Sequence, residues 1–116
     1  MTWVRIDDQL HGHPKIRKAW RGAPRALGLH LLALSYAGAY LTDGHVPEEF
    51  VEEKLPGSSE RTKTVQTLVD AELWLPPETG EWTIHDYLDR NPSRAEVLAR
   101  RATDSARKRN GSRAES

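Results

Sequence analysis

The 116-residue sequence contains no cysteine, which excludes disulfide staples, cysteine-bound zinc and thiol nucleophiles and leaves packing alone to hold a core. It has a single methionine and a single phenylalanine, and no apolar run near the roughly 18 residues of a membrane span. The start, Met1-Thr2-Trp3-Val4-Arg5-Ile6-Asp7-Asp8, lacks a basic stretch followed by an apolar one. No secretory signal is therefore expected, and the cytoplasm is the expected compartment. There is no glycine-rich phosphate loop, no G-x-S-x-G elbow and no H-E-x-x-H pair. Asp7-Asp8 and Asp86 with Asp89 read as turn and cap residues, since nothing in the pattern brings them into one cleft. His11-Gly12-His13 supplies two imidazoles with no third ligand nearby. No catalysis, cofactor or metal is expected.

What is present is one domain's worth of chain with an uneven charge distribution. The net charge is zero, yet residues 1–91 carry 10 basic and 14 acidic side chains, and residues 92–116 carry 7 and 3. A basic arm on a slightly acidic body fits an anionic partner such as nucleic acid, or a solvated helix end.

Pro14 opens a short helix that places Ile16, Ala19 and Trp20 on one side, and Pro24 opens a longer one over 24–41. The second has hardly any polar face and reads as the most buried element. Thr42-Asp43-Gly44 is a turn and His45-Val46 a brief strand. Pro47 starts a helix over 47–55 that buries Phe50, Val51 and Leu55. After Pro56-Gly57, Ser58 or Ser59 caps a helix over 60–73 whose inward side is Val65, Leu68 and Val69. Leu73-Trp74-Leu75 and Glu81-Trp82-Thr83-Ile84-His85 form a hairpin with a tip at Pro76-Pro77-Glu78-Thr79-Gly80. Ser93 and Glu96 form a capping box for a last helix to about Arg109, and 110–116 is expected to be disordered. The division expected is a body over 1–91, a basic helical arm over 92–109 and a tail.

Helix, short strand, helix, turn, helix and hairpin is the order of a winged helix-turn-helix domain, mainly α with a small β-hairpin. The chain resembles the small winged helix-turn-helix proteins of actinobacterial phages and prophages, and the N-terminal domains of phage replisome organisers and DnaD-type initiators. The resemblance covers the chain to about Arg109. It is carried by Trp3 to Asp8, His13-Pro14-Lys15, Leu41-Thr42-Asp43-Gly44-His45-Val46-Pro47, Leu68-Val69-Asp70-Ala71-Glu72-Leu73-Trp74, Trp82 to Asp89 and Asn91-Pro92-Ser93-Arg94. It implies double-stranded DNA as partner, in replication initiation or transcriptional control. Proteins of this pattern place glycine where Glu72 stands. The larger organisers add a domain that engages the helicase loader, for which this chain is too short.

In a helix-turn-helix the second helix presents side chains to the major groove. With Val65 taken as inward, Lys63 and Thr67 fall opposite it, with Thr64 and Gln66 on the shoulders and Arg61 in the first turn. Gln66 is suited to adenine, whereas Glu60 and Asp70 bracket the face with repulsive charge. No lysine or arginine lies between Trp74 and Tyr87, so the hairpin is not a phosphate clamp. The arm supplies Arg94, Arg100, Arg101, Arg107, Lys108, Arg109 and Arg113; Arg94, Arg101 and Lys108 recur every seven residues and can follow a phosphate backbone. Its alanine stripe also permits a homodimer, though it is thin for a coiled coil. Lys15, Arg17, Lys18, Arg21 and Arg25 form a second basic cluster or a polar helix face. The four tryptophans read mainly as core, with a base-stacking platform as the alternative. The competing function is a protein-interaction adaptor gripping a replication or transcription protein, which an exposed apolar patch would favour.

Overall fold

The computed structural model describes residues 9–115, with side chains through Arg109. Trp3, the Asp7-Asp8 pair and Ser116 lie outside the described residues, as does the Arg113 side chain. The chain is mainly helical, with one small three-stranded antiparallel sheet.

A 3-10 turn over Leu10–Gly12 leads into α1 (Pro14–Gly22). His13 Nδ1 accepts the Lys15 backbone N–H at 3.2 Å and Pro14 occupies the first turn, where its missing donor costs nothing. Ile16 and Ala19 are buried, but Trp20 is 59% exposed. That corrects its expected place in the core: the short α1 buries a stripe centred on Ile16 and Ala19, and Trp20 falls at its outer edge. Helix α2 (Pro24–Tyr40) buries Ala26, Leu29, His30, Ala33, Ala37 and Gly38. It is not buried all round as its composition suggested. Leu31, Leu32 and Tyr40 are exposed, because the neighbouring elements cover one flank only.

Leu41, Asp43 and Gly44 all adopt left-handed backbone at the end of α2. At Gly44 no other residue fits, because a Cβ there would stand 2.7 Å from the Tyr87 Cβ, while the Gly44 carbonyl accepts the Ile84 N–H at 2.8 Å. β1 (His45–Pro47) pairs with β3 (Glu81–Ile84), which pairs with β2 (Trp74–Glu78), giving the order β1-β3-β2. Pro47 closes the strand and caps α3 (Glu48–Lys54) rather than entering its first turn. The prolines expected at the hairpin tip lie inside β2, tolerated because β2 is an edge strand, and the pairing is irregular between Leu75 and Glu78. The tip reduces to Thr79-Gly80, both left-handed, as a tight two-residue hairpin requires.

Helix α4 (Ser58–Asp70) begins after the turn 55–57 and ends earlier than its pattern suggests. Gly57 is its cap, with no side-chain hydrogen bond, so neither serine plays the expected role. At its far end Glu72, left-handed at φ 61°, donates its N–H to the Val69 carbonyl, and Leu73 donates to Leu68. This is a Schellman closure built on a glutamate, with Leu68 and Leu73 buried together beneath it.

A single helical turn not expected from the sequence, α5 (Tyr87–Arg90), follows the sheet, and α6 (Arg94–Glu115) completes the chain. Ser93 Oγ accepts the Glu96 N–H at 3.2 Å and Asp43 Oδ1 accepts the Arg94 N–H at 2.6 Å. A carboxylate in the α2–β1 turn thus holds the positive end of α6 against the body. The helix continues through Glu115 instead of stopping near Arg109, the three weak formers Asn110, Gly111 and Ser112 costing only about 2 kcal/mol of helix propensity together. Its length, about 33 Å for its residue number, produces extents of 62 × 30 × 19 Å and a radius of gyration of 17.5 Å. A compact chain of this size would have about 13 Å.

Candidate nucleic-acid interface

The inward line of α4 is Thr64, Leu68 and Ala71, spaced four and three residues apart, with Val65 and Val69 only half-buried on its flank. The helix is therefore rotated by roughly one residue from the orientation that an inward Val65 would set. Thr64 is 2% exposed and faces the core, so it cannot reach a groove. A threonine fits there because its methyl packs like that of valine. Arg61 is also occupied: its Nη1 donates to the Leu55 carbonyl at 2.9 Å and to Pro56 at 3.3 Å, tying α4 to the preceding turn. Thr67 turns toward α1, where a Cβ on Gly22 would stand 3.0 Å from its methyl, and its hydroxyl donates to the Lys63 carbonyl.

Of the five positions expected on this helix, Lys63 and Gln66 remain on the outer face, with Ser59 and Thr62 exposed beside them. Those two were missed by taking Val65 as inward; the signal was Thr64, Leu68 and Ala71 at helical spacing, masked by a polar residue type. Gln66 Nε2 donates to Asp70 Oδ1 at 2.8 Å, which orients the amide along the face. The negative bracket is weaker than its residue types imply. Glu60 accepts Arg25 Nη1 at 2.7 Å, and the Lys18 ammonium donates to the Asp70 carbonyl at 2.8 Å at the negative end of α4. Both partners of the Arg25–Glu60 pair are exposed, so its worth is charge cancellation more than stability.

The hairpin tip carries Glu78 and Glu81, both exposed, and repels a phosphate backbone. On α6, Arg94, Arg100, Arg101, Arg107, Lys108 and Arg109 are all exposed. Arg94, Arg101 and Lys108 lie within about 40° of one another around the axis, and Arg100 and Arg107 form a second line. Val97 is the buried anchor of this helix, while Leu98 remains exposed.

Elsewhere, His13 serves α1 as a cap. His85 Nδ1 lies 2.7 Å from Asp86 Oδ2, with the Lys15 ammonium 3.6 Å from the same oxygen. Burial opposes ionisation of Asp86, but the His85 hydrogen bond and charge and the Lys15 charge outweigh it and hold its carboxyl below the usual range. Among the described residues no three His, Cys, Asp or Glu side chains gather as a metal site, and no helix is long and apolar enough to cross a membrane. Comparison of the chain with protein-family models, with curated proteins and with solved structures finds no match.

Proposed function

We propose that this protein is a non-enzymatic, double-stranded DNA-binding winged helix-turn-helix protein of phage or mobile-element origin. It works in the cytoplasm, in replication initiation or transcriptional control. The observation that carries the reading is the pair α3 and α4, joined by the turn 55–57 and followed by a hairpin that completes a sheet of order β1-β3-β2. That succession leaves the outer face of α4, with Ser59, Thr62, Lys63 and Gln66, free to enter a major groove. Gln66 reads adenine, Lys63 takes guanine or phosphate, and the α6 cations hold the backbone without reading sequence.

The test is selection of a duplex site from a random library by the full chain, followed by anisotropy on that site. Lys63→Ala with Gln66→Ala is expected to lower the preference for the selected site by about 1–3 kcal/mol for each base pair that is no longer read. Duplex binding absent even at low salt overturns the proposal.

A second reading, an adaptor for a replication or transcription protein, is favoured by one observation. Leu32, Tyr36 and Tyr40 form a line on α2, exposed at both ends, with the Tyr36 ring 4.8 Å from Tyr40 and 4.7 Å from Phe50. Loss of partner capture in Tyr40→Glu, with duplex binding absent from the parent chain, would support it.

A further inference from the structure

Helix α1 carries four cations in nine residues and no acid. Lys15 and Lys18 are engaged, with Asp86 and with the Asp70 carbonyl. Arg17 and Arg21 are not: among the described residues neither has a carboxylate within 4 Å. Beside them stands Trp20, 59% exposed. Around the axis of α1 the order from the core outward is Ile16, Trp20, Arg17, Arg21, within about 140°. A shallow furrow of about 450 Å³, lined by His11, Ile16, Arg17, Trp20, Arg21 and Leu27, runs along this flank.

Its chemistry is layered: aliphatic side chains and an indole on the core side, guanidiniums on the solvent side. A nucleotide of an unpaired strand has the same layering, a flat base inside and a phosphate outside. A membrane surface would need a broad apolar band, and Trp20 is the one large apolar side chain that α1 exposes. An acidic peptide would use the guanidiniums and leave the indole idle. A duplex offers no open base face to stack on. We propose that the Arg17–Trp20–Arg21 flank of α1 is a second site, for single-stranded DNA, in which Trp20 stacks on a base and the two arginines hold adjoining phosphates. The choice of DNA over RNA rests on the function proposed above; the site itself does not. Lys18 and Gly22 face α4, and Trp20 lies about 160° around α1 from both, so the indole turns away from the candidate duplex face and Arg21, about 60° from Lys18, is the nearest of the three to it.

The experiment is anisotropy of the full chain with labelled oligo(dT) of about 20 nucleotides, long enough for one site, and with a duplex of equal length, at graded salt. Trp20→Ala is expected to weaken oligo(dT) binding roughly 5- to 150-fold, the loss of one stacked base. Trp20→Phe, which keeps a ring, retains most of it. Arg17→Ala with Arg21→Ala weakens it and flattens its salt dependence, and duplex affinity stays unchanged in all three. Because Trp20 is exposed, circular dichroism should report an unaltered fold. Parental affinity for oligo(dT) in Trp20→Ala overturns the proposal, as does no oligo(dT) binding by the parent chain at low salt. Tighter binding of oligo(rU) overturns the assignment to DNA, and equal displacement by polyglutamate assigns the flank to an acidic protein. Duplex binding, read in the same series, stands or falls separately.

Discussion

His30 sits on the buried flank of α2, where its Nδ1 accepts the Trp74 indole N–H at 3.0 Å. That bond requires an unprotonated Nδ1, and burial pushes the imidazole from 6.5 down to about 4. Between those values the unfolded chain binds a proton that the native state refuses. The stabilisation is therefore complete above about pH 6.5 and is lost as pH falls toward 4, by about 3 kcal/mol in all. Urea denaturation midpoints at neutral pH and near pH 4.5 should differ accordingly. The variant His30→Asn, whose Oδ1 can take the place of Nδ1, should shrink that difference. Thr64 and Arg61 teach a related point. Both are polar, and both face inward, one into the core and one onto backbone carbonyls. Residue type alone assigned them to a surface, because a sequence does not state which polar groups find partners inside.

Among the helices, α4 is held at both ends by neighbours in sequence: Arg61 on the turn before it and the Schellman closure after it. The closure places Glu72 in left-handed backbone, which costs a residue with a Cβ about 1–2 kcal/mol. Glycine adopts this backbone without strain, and the left-handed geometry at Glu72 is one that favours it. Glu72→Gly should stabilise the protein by roughly 0.5–1 kcal/mol, the relief of strain less the greater freedom of glycine in the unfolded chain. A rise in thermal midpoint checks this; a fall would mean that the Glu72 side chain contributes more than its backbone costs. The starts of α1, α2 and α6 and the hairpin were legible from Pro14, Pro24, Ser93 and the β-rich runs. The rotation of α4 and the strand position of Pro76 and Pro77 were not, since pairing with β3 and packing against α1 decide them.

Taken whole, the molecule is a compact body with α6 standing away from it, anchored by Val97 and by the Asp43 carboxylate. Separation of a cationic rod from a slightly acidic body lets the arm approach phosphates without bringing the acidic hairpin tip along. If α6 supplies affinity for DNA, replacing Arg100, Arg107 and Lys108 by alanine should reduce the slope of log affinity against log salt by roughly one for each phosphate no longer neutralised. Site preference should stay nearly unchanged. A slope equal to that of the parent chain would remove the arm from the interface.

The order of the longer helices and the strands, the charge division near residue 91 and the absence of cysteine chemistry were properties of the sequence alone, since propensity, capping and composition act locally; the single turn α5 was not among them. Which face of α4 points outward, that Trp20 is exposed and that Glu60 is neutralised by Arg25 were decided by the tertiary structure. Each depends on residues distant in sequence, the Arg25–Glu60 pair by 35 positions. Burial and pairing at such separations follow from how the elements pack, and no local pattern encodes them.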